Sequence, residues 1–547
     1  MSRWCKLLGI AAVACALVAA NPVPALASSS EEMVLQDDVE LIYVSPAKVA
    51  TALEELRYLG VDRVRVSVVW GLLAPKPLSS HRPRFDATNP AAYPAHVWDR
   101  YDVLVRMAQE LGIKIYFEPT APAPYWATPP LVIQQGYRWS HDPSAREFGE
   151  FVQAVGRRYS GGYLARTPAN MPTPAQLGIP GGATSNPAGP TPIPRVSEWG
   201  IWNEPNIGGW MTPQWRTIQG GQKVEASPAI YRGMLDAAWT ALRRSGHGGD
   251  TILIGETAAY GANHKGYGAS MDPLTFLRAL YCVGTSYRPL SGARASELSC
   301  PTRGGRRAFV AAHPALFDAP GYAHHPYDFD HPPAVHLRNP NAADLSDLGR
   351  IERALDAAFR AYGQRPGIPL YLTEWGYQTN PPNPFIRFTL AQQAAFLNQG
   401  EYMAWRDPRV QAFGQFLFVD DSPNRMARRG SRSYWSTFDS GLLFLNGKLK
   451  PAYWAFKLPL WLPDPRHGPS VALWADLRSA DHAAVQYGQL QFRPAGSQAW
   501  QALGQLSTTN SEGFLYTHVA LPSPGSVRIG WLDPFGVVEY SRIVAVS

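Results

Sequence analysis

Residues 199–206 read Trp199-Gly-Ile-Trp-Asn-Glu-Pro-Asn206, and residues 370–376 read Leu370-Tyr-Leu-Thr-Glu-Trp-Gly376. Each stretch is a short apolar run typical of a β-strand, and each reaches a glutamate, Glu204 or Glu374, just before a turn signal. A glutamate is usually an ordinary surface carboxylate, but that does not explain why aromatic residues crowd both positions. We therefore expect two strands that each deliver one carboxylate from their carboxyl end.

Strand-like and helix-like segments alternate on either side of these two stretches, from about residue 33 to residue 420. The expected strands are 33–39, 61–70, 113–118, 196–203, 251–256, 321–325, 369–374 and 410–419. The amphipathic segments between them predict helices over 46–59, 96–111, 144–159, 228–245, 274–282, 347–362 and 390–406.

Eight strands alternating with helices predict an α/β fold, a parallel sheet closed into a (β/α)₈ TIM barrel. In such a barrel the carboxyl ends of the strands face the mouth. Glu204 ends the fourth strand and Glu374 the seventh, so both would point there. A doubly wound open sheet is the alternative, but it gives no reason for that placement.

The residue pattern of the sequence changes after Pro451. The proline-rich segment 458–470 predicts a connector between a barrel domain at 28–457 and a second domain at 471–547. That second domain has short alternating runs at 483–487, 514–521, 527–531 and 537–546, separated by turn signals. It resembles a small all-β sandwich of the fibronectin type III kind. Trp474 and Trp500 are expected in its core, and stacking on a ligand is the alternative.

The N-terminus has the pattern of a secretory signal peptide. Arg3 and Lys6 precede an apolar stretch at 7–20, and Ala25-Leu-Ala27 forms a cleavage site, so we expect residues 1–27 to be removed after Ala27 and the protein to be secreted. The apolar stretch is too short for a stable membrane span. Removing two basic and no acidic residues lowers the net charge from +7 to +5.

This mild surplus of positive charge is not concentrated enough to predict nucleic-acid binding. Its two basic runs, 303–307 and 425–432, are better interpreted as solvated loops. Cleavage of the signal peptide would remove two of the four cysteines and leave Cys282 and Cys300 in an oxidising compartment. We expect them to form a disulfide. A metal site there is not expected, because no Cys-x-x-Cys or matching histidine pair accompanies them.

Asn203-Glu204-Pro205, preceded by Trp202, resembles the acid/base strand of the clan A glycoside hydrolases. Thr373-Glu374-Trp375-Gly376 resembles the nucleophile strand of the same clan, three strands later. The resemblance covers about residues 33–420 and is strongest to families 39 and 5, which are β-glycosidases. It implies retaining hydrolysis of β-glycosidic bonds in a polysaccharide or oligosaccharide, with Glu374 as nucleophile and Glu204 as acid/base. No metal or organic cofactor is implied.

Further positions fit this resemblance. Arg65 matches the clan's strand-two arginine, which lies near the nucleophile and favours its charged form. His325 and Tyr327, in His324-His-Pro-Tyr327, match strand-six groups that hydrogen-bond the nucleophile, and whether His324, His325 or Tyr327 points inward is left open. Asn203 is expected to bind the sugar 2-hydroxyl.

Aromatic residues near the βα-loops are candidates for stacking on sugar rings. Trp375 is the favoured one, because it follows Glu374 directly. The other candidates are Trp70, Trp126, Trp139, Trp210 and Tyr377. Many clan members end strand eight with a tryptophan, whereas this strand reads Gly414-Gln-Phe-Leu-Phe-Val-Asp420. Phe416, Phe418 or the loop residue Trp435 would have to substitute.

Two other function classes compete with a glycosidase. A non-catalytic glycan-binding or adhesive protein would keep the barrel and lose the chemistry, and the intact Glu204/Glu374 pair argues against it. A lyase or metallohydrolase would need a metal cluster, but the histidine-rich stretch 324–336 has no partner carboxylates at recognisable ligand spacing. We expect a carbohydrate substrate, no nucleic-acid partner, no membrane span and a monomer.

Overall fold

The structure is a computed structural model that describes residues 27–131, 138–302, 304–466, 468, 470–478 and 485–547. The predicted signal peptide lies outside the described residues, apart from Ala27. The chain divides into two compact units, with the boundary between Tyr453 and Trp454. Within the described part of the chain, no helix combines the length and apolar character needed to cross a membrane.

The first unit contains eight parallel strands that close into a barrel. The strands are β1 (Glu32–Gln36), β2 (Arg63–Val69), β3 (Lys114–Thr120), β4 (Glu198–Trp199), β5 (Thr251–Ala258), β6 (Gly321–His325), β7 (Leu370–Trp375) and β8 (Val410–Phe416). Neighbours in the ring follow chain order, and β1 pairs with both β2 and β8. This confirms the predicted (β/α)₈ barrel and excludes an open sheet.

A helix follows each strand. These helices are α1 (Pro46–Tyr58), α2 (Asp99–Leu111), α3 (Ala145–Arg158), α4 (Ser227–Leu242), α5 (Pro273–Leu280), α6 (Leu348–Ala361), α7 (Leu390–Trp405) and α8 (Pro451–Lys457). Their ends follow local sequence signals. The Thr389 and Gln392 side chains form a capping box at the start of α7, and Gly112 ends α2 in the left-handed conformation with φ of 74°.

The loops of the barrel contain shorter helices and strands. The additional α-helices are Asp38–Ile42, Trp70–Leu73, Gly292–Glu297, Gly305–Ala312 and Ala315–Asp318. Two small antiparallel two-stranded sheets pair Leu164–Ala165 with Thr191–Pro192 and Trp215–Thr217 with Lys223–Glu225. Cys282 and Cys300 form the predicted disulfide, in the loop after α5.

The second unit is an antiparallel β-sandwich, as expected. One sheet holds β9 (Leu460–Trp461), β10 (Val471–Asp476) and β13 (Phe514–Val519). The other holds β11 (Gln486–Pro494), β12 (Gln501–Thr508), β14 (Gly525–Leu532), β15 (Val538–Tyr540) and β16 (Val544–Val546). Part of the predicted strand 483–487 lies outside the described residues.

Part of the segment 458–470, predicted as a connector, packs with the sandwich. Its strand β9 pairs with β10, and alternate leucines Leu458, Leu460 and Leu462 belong to the sandwich core. Trp474 is fully buried, as expected. Trp500 differs from the expectation, because it is only partly buried and stacks against the Arg528 guanidinium at 4.3 Å.

Candidate active site

A cavity of about 340 Å³ opens at the carboxyl ends of the barrel strands. Its wall includes four of the predicted site residues, Asn203, Glu204, Tyr327 and Glu374. The remaining lining residues are Gln36, Asp37, Asp38, Val39, Ser67, Ile207, Trp210, Ala258, Ala259, Tyr260, Phe329, Phe416, Leu417, Asp421 and Phe438. The two sequence stretches that predict strand-end carboxylates therefore meet in one cavity.

The end of β4 departs from a regular strand, which explains how two consecutive residues reach the same site. The ladder covers only Glu198 and Trp199, not the predicted 196–203. Trp202 and Glu204 then adopt left-handed backbone conformations, with φ of 65° and 39°. The backbone N–H of Asn203 donates to Thr120 Oγ1 at 2.9 Å. Because the chain has left the strand, Asn203 and Glu204 do not alternate between two faces as strand residues would.

The two carboxylates lie close together. Glu204 and Glu374 each offer one oxygen and His325 one ring nitrogen, and these three atoms lie within 4.8 Å of one another. Two carboxyl groups about 5–5.5 Å apart are typical of enzymes in which one carboxylate attacks the substrate directly. A separation of about 6.5–9.5 Å instead leaves space for a water molecule between one carboxylate and the substrate. The two carboxylates are therefore close enough to act on the same bond.

Glu374 is held by two hydrogen-bond donors. Arg65 Nη1 donates to Glu374 Oε1, and the Tyr327 hydroxyl donates to Glu374 Oε2 at 3.2 Å. Arg65 is only 1% exposed, and its Nη2 also donates to Asn203 Oδ1 at 2.9 Å. Arg65 and Tyr327 therefore lie where the sequence places them, beside the predicted nucleophile.

Beneath the cavity, two further glutamates surround Arg65. Arg65 Nη2 lies 2.7 Å from Glu118 Oε1 and 3.2 Å from Glu256 Oε2. Burial alone would raise the pKa of Glu256, but the charge of Arg65 and the hydrogen bond from His325 outweigh it and lower that pKa to about 2. Burial raises the pKa of Glu118 well above its usual range. Neither residue was among those predicted from the sequence.

The His325 ring lies between Glu204, which lines the cavity, and Glu256 beneath it. Its Nδ1 lies 3.0 Å from Glu204 Oε1 and its Nε2 lies 2.8 Å from Glu256 Oε2. Burial would lower the pKa of His325, but the charge of Glu374 and the hydrogen bonds to Glu204 and Glu256 outweigh it and raise that pKa to about 10. At neutral pH the ring is therefore an imidazolium, donating from both nitrogens.

The His324 ring hydrogen-bonds to residues other than Glu204 and Glu374. Its Nδ1 is 2.9 Å from Thr257 Oγ1 and its Nε2 is 2.9 Å from the Ala343 carbonyl oxygen. Burial lowers its pKa to about 4, so this ring is neutral. Of the three strand-six candidates, His325 and Tyr327 reach the carboxylates and His324 does not.

Glu204, His325 and Glu374 also lie close enough together to be considered as metal ligands. The charges around them disfavour this role. An imidazolium has no lone pair to offer a metal, and the guanidinium of Arg65 already balances Glu374. The prediction that no metal or cofactor is required stays a prediction.

The charge of His325 should be visible in the pH dependence of stability. Its folded pKa of about 10 lies above the reference value of 6.5, so its contribution is complete below pH 6.5 and is lost as pH rises through about 10. We therefore expect the advantage of the wild type over His325→Asn in unfolding free energy to shrink across this range. Urea unfolding at about pH 6, 8 and 10 measures it.

His324→Asn is the matched control for that experiment. The pKa of His324 is lowered to about 4 from the reference value of 6.5, so His324 is neutral in both states at about pH 8 and above. The difference in unfolding free energy between the wild type and His324→Asn should therefore stay constant from about pH 8 to 10. A constant difference for His325→Asn as well would contradict the imidazolium assignment.

The favoured stacking residue, Trp375, packs in the barrel wall instead of the cavity. Its ring is 1% exposed and lies 5.1 Å from Phe413 and 5.2 Å from Tyr377. Trp70 packs against Phe151 at 5.7 Å. Of the aromatic candidates, Trp210 is the one whose position lines the cavity among the described residues.

Phe416, the last residue of β8, is one of the three candidates expected to take the place of a strand-eight tryptophan. Phe416 lines the cavity and meets Phe438 edge-on, with ring centroids 5.1 Å apart. Phe418 is 6% exposed. Trp435 lines a neighbouring cavity. Phe416 is therefore the substitute that the structure places at the site.

No family model and no curated protein matches this sequence. Similar solved structures include a family 39 glycoside hydrolase from Bacteroides cellulosilyticus WH2, with 13% identity, TM-score 0.44, and coverage of 90% of this chain and 80% of that chain. A glucosidase from Croceicoccus marinus shows 13% identity and TM-score 0.45, covering 96% and 98%. GH5_18 from Streptomyces cattleya, in complex with GlcNAc, shows 14% identity and TM-score 0.43, covering 79% of each chain.

Proposed function

We propose that this protein is a secreted, retaining glycosidase that hydrolyses β-glycosidic bonds of an oligosaccharide or polysaccharide. Glu374 is the nucleophile and Glu204 the acid/base residue. The observation that carries this proposal is the spacing of the two carboxylates, whose nearest oxygens lie within 4.8 Å in one cavity at the barrel mouth. The N-terminal signal pattern and the Cys282–Cys300 disulfide support secretion.

The reaction is a double displacement. Glu374 attacks the anomeric carbon, a bond forms from its carboxylate to the sugar, and the glycosidic bond breaks as Glu204 gives its proton to the leaving oxygen. Glu204 then takes a proton from water, the water oxygen bonds to the anomeric carbon, and Glu374 is released. Two inversions leave the product with the configuration of the substrate.

The contacts of the two glutamates support this division of roles. Glu374 receives hydrogen bonds from Arg65 and Tyr327, which hold its carboxylate in one orientation for attack. Glu204 has the more exposed side chain, 16% against 8%, and therefore faces the space where a leaving group departs and water enters.

Asn203 is placed to bind the sugar. Its Oδ1 accepts from Arg65 at 2.9 Å, which turns its amide N–H₂ away from the guanidinium, and Asn203 lines the cavity. A donor at this position supports the role of binding the 2-hydroxyl, a contact that strengthens in the transition state.

The proposal is tested by incubating the mature protein with a panel of nitrophenyl β-glycosides and soluble β-glycans and following the first product by proton NMR. We expect the β-anomer to appear before mutarotation. First release of the α-anomer would contradict double displacement. Glycan binding without turnover would favour the alternative, a non-catalytic glycan-binding or adhesive protein.

Glu204→Gln should give a leaving-group signature. For glycosides with poor leaving groups we expect kcat/KM to fall by about 10²–10⁴-fold, the range for loss of general acid catalysis. Dinitrophenyl glycosides should be affected much less, because this leaving group departs without protonation. Glu110→Gln, on the exposed face of α2, is the matched control. Equal losses for both classes would exclude Glu204 as the acid.

A further inference from the structure

A second cavity lies beside the candidate active site. It has a volume of about 280 Å³ and is formed mainly by the long segment after β8. Asp421 lines both this cavity and the active-site cavity. Its Oδ2 accepts the backbone N–H of Phe438 at 3.1 Å, and Phe438 belongs to the active-site wall. The two cavities are therefore adjacent, with Asp421 as their shared residue.

Two buried carboxylates in this second cavity have unused hydrogen-bonding capacity. Asp420 and Asp439 line it and are only 2% and 1% exposed. The Oδ2 atom of each accepts no hydrogen bond from the described residues by distance and angle, and the Asn383 side chain is a donor beside the Asp439 carboxylate. Buried polar atoms are almost always hydrogen-bonded in folded proteins. These two oxygens therefore point to a ligand that brings hydrogen-bond donors.

A cation already lies beside the Asp420 carboxylate and the backbone carbonyl of Asp439. Lys450 Nζ, fully buried, lies 2.6 Å from Asp420 Oδ1 and donates to the Asp439 carbonyl oxygen at 3.1 Å and to Thr379 Oγ1 at 3.2 Å. Since the lysine occupies this position, a metal ion is disfavoured by charge repulsion. Burial still raises the pKa of Asp420 to about 6 and that of Asp439 to about 7, so further donors would stabilise both ionised groups.

The cavity also has aromatic walls. Trp435 is half-buried and lines it, and the Trp435 carbonyl oxygen accepts from Asn383 Nδ2 at 3.2 Å, which fixes the backbone at this point. Phe444 lines it as well, with its ring 5.2 Å from the Lys450 ammonium. A flat apolar surface beside buried acceptors is complementary to a pyranose, which has apolar ring faces and hydroxyl donors at its edge.

We infer that this second cavity is a sugar subsite that binds a residue of the substrate chain away from the bond being cleaved. The inference rests on the proposed glycosidase function. It narrows the substrate class to a glycan long enough to extend past Asp421. Glycosides of a single sugar would fill the active-site cavity and leave the subsite empty.

The test compares substrate lengths in the mature protein. We would measure kcat/KM for cello-, xylo-, manno- and chito-oligosaccharides of two to six residues and for the matching nitrophenyl monoglycosides. The variants are Trp435→Ala, which removes the aromatic wall, and Asp439→Asn, which keeps the shape and removes the charge. Thermal unfolding checks that each variant is folded.

For oligosaccharides that reach the subsite we expect each variant to lose about tenfold in kcat/KM, the factor that corresponds to about 1.4 kcal/mol. Hydrolysis of the monoglycoside should be unchanged. Phe385→Ala is the matched control. It removes a 40% exposed ring from the loop after β7, outside the subsite lining, and should behave as wild type on every length.

The outcomes separate this inference from the proposed function. If the wild type cleaves part of the panel but both folded variants lose nothing, or lose equally on monoglycosides and oligosaccharides, the subsite is wrong and the glycosidase stands. If the wild type neither binds nor cleaves any glycoside or oligosaccharide of the panel, both the proposed function and the subsite are contradicted.

Discussion

Glu374→Gln is expected to lower kcat/KM on nitrophenyl β-glycosides by about 10⁵-fold, the scale observed when a covalent nucleophile is removed from an enzyme. An amide is a poor nucleophile, and the substitution keeps the size of the side chain beside Arg65 and Tyr327. Steady-state kinetics measures the loss, and thermal unfolding shows whether the fold persists. Glu110→Gln again serves as the control with a retained activity.

Rescue by azide tests the role of Glu374 more sharply than loss of activity. In Glu374→Gly, the anion can occupy the space left by the carboxylate, attack the anomeric carbon from that side and give an α-glycosyl azide. If the rescued product is the β-glycosyl azide, the anion has instead entered from the leaving-group side. Glu374 would then be the acid/base residue, and the two glutamates would exchange roles.

Arg65→Met is expected to reduce both stability and activity. Arg65 contacts Glu118, Glu256 and Glu374 while only 1% exposed, so its removal leaves His325 as the remaining positive charge beside the buried Glu256 and Glu374. Breaking a buried ion pair in this way costs about 3–5 kcal/mol. Urea unfolding measures the loss, and we expect kcat to fall with it because Glu374 loses a donor.

The pH dependence distinguishes this electrostatic cause from simple loss of packing. The folded pKa of Glu256 is lowered to about 2 from a reference of 4.5, so its stabilising contribution is present above pH 4.5 and is lost as pH falls through about 2. The gap between wild type and Arg65→Met should therefore narrow with acidification over that range. A gap that stays constant would indicate lost packing alone.

Arg63→Met provides the matched control on the same strand. Arg63 lies at the start of β2 and pairs with Glu32 at 2.8 Å and with Glu198 at 3.4 Å. Its loss should cost stability without lowering kcat, because none of these partners lines the active-site cavity. A fall in kcat equal to that of Arg65→Met would mean that the activity loss reports only a damaged barrel.

The barrel could be predicted from the sequence because its elements repeat one pattern. Predicted and observed bounds coincide for β6 at 321–325, and α1 and α7 begin at the predicted residues. The hydrophobic period identifies such elements without knowledge of their neighbours. Closure into a ring followed from their number and from the placement of Glu204 and Glu374.

The side-chain directions were harder to predict, and Trp375 shows why. Adjacent strand residues point to opposite faces of a sheet, so an inward Glu374 directs Trp375 outward, where it packs against Phe413. Trp375 was favoured because it follows Glu374 directly, and the prediction that its ring faces the cavity is wrong. Alternation along β7 could have corrected this prediction.

Glu118 and Glu256 carried a signal that the sequence analysis left unused. Each is a charged residue within an apolar strand, as Arg65 is, and a charge in such a place needs a partner. Pairing the three would have predicted the buried network. The short ladder of β4 had no such signal, since the left-handed turns at Trp202 and Glu204 occur at residues other than glycine.

The backbone at Glu204 bears on how such a protein would change if selection on its activity ended. With φ of 39°, this position lies in a region where glycine or asparagine is favoured over glutamate by about 1 kcal/mol. The local backbone by itself therefore disfavours the residue that the proposed reaction requires. In lineages that abandon hydrolysis and keep the scaffold, drift at this position should run towards glycine or asparagine, and that replacement would mark a barrel retained only for binding.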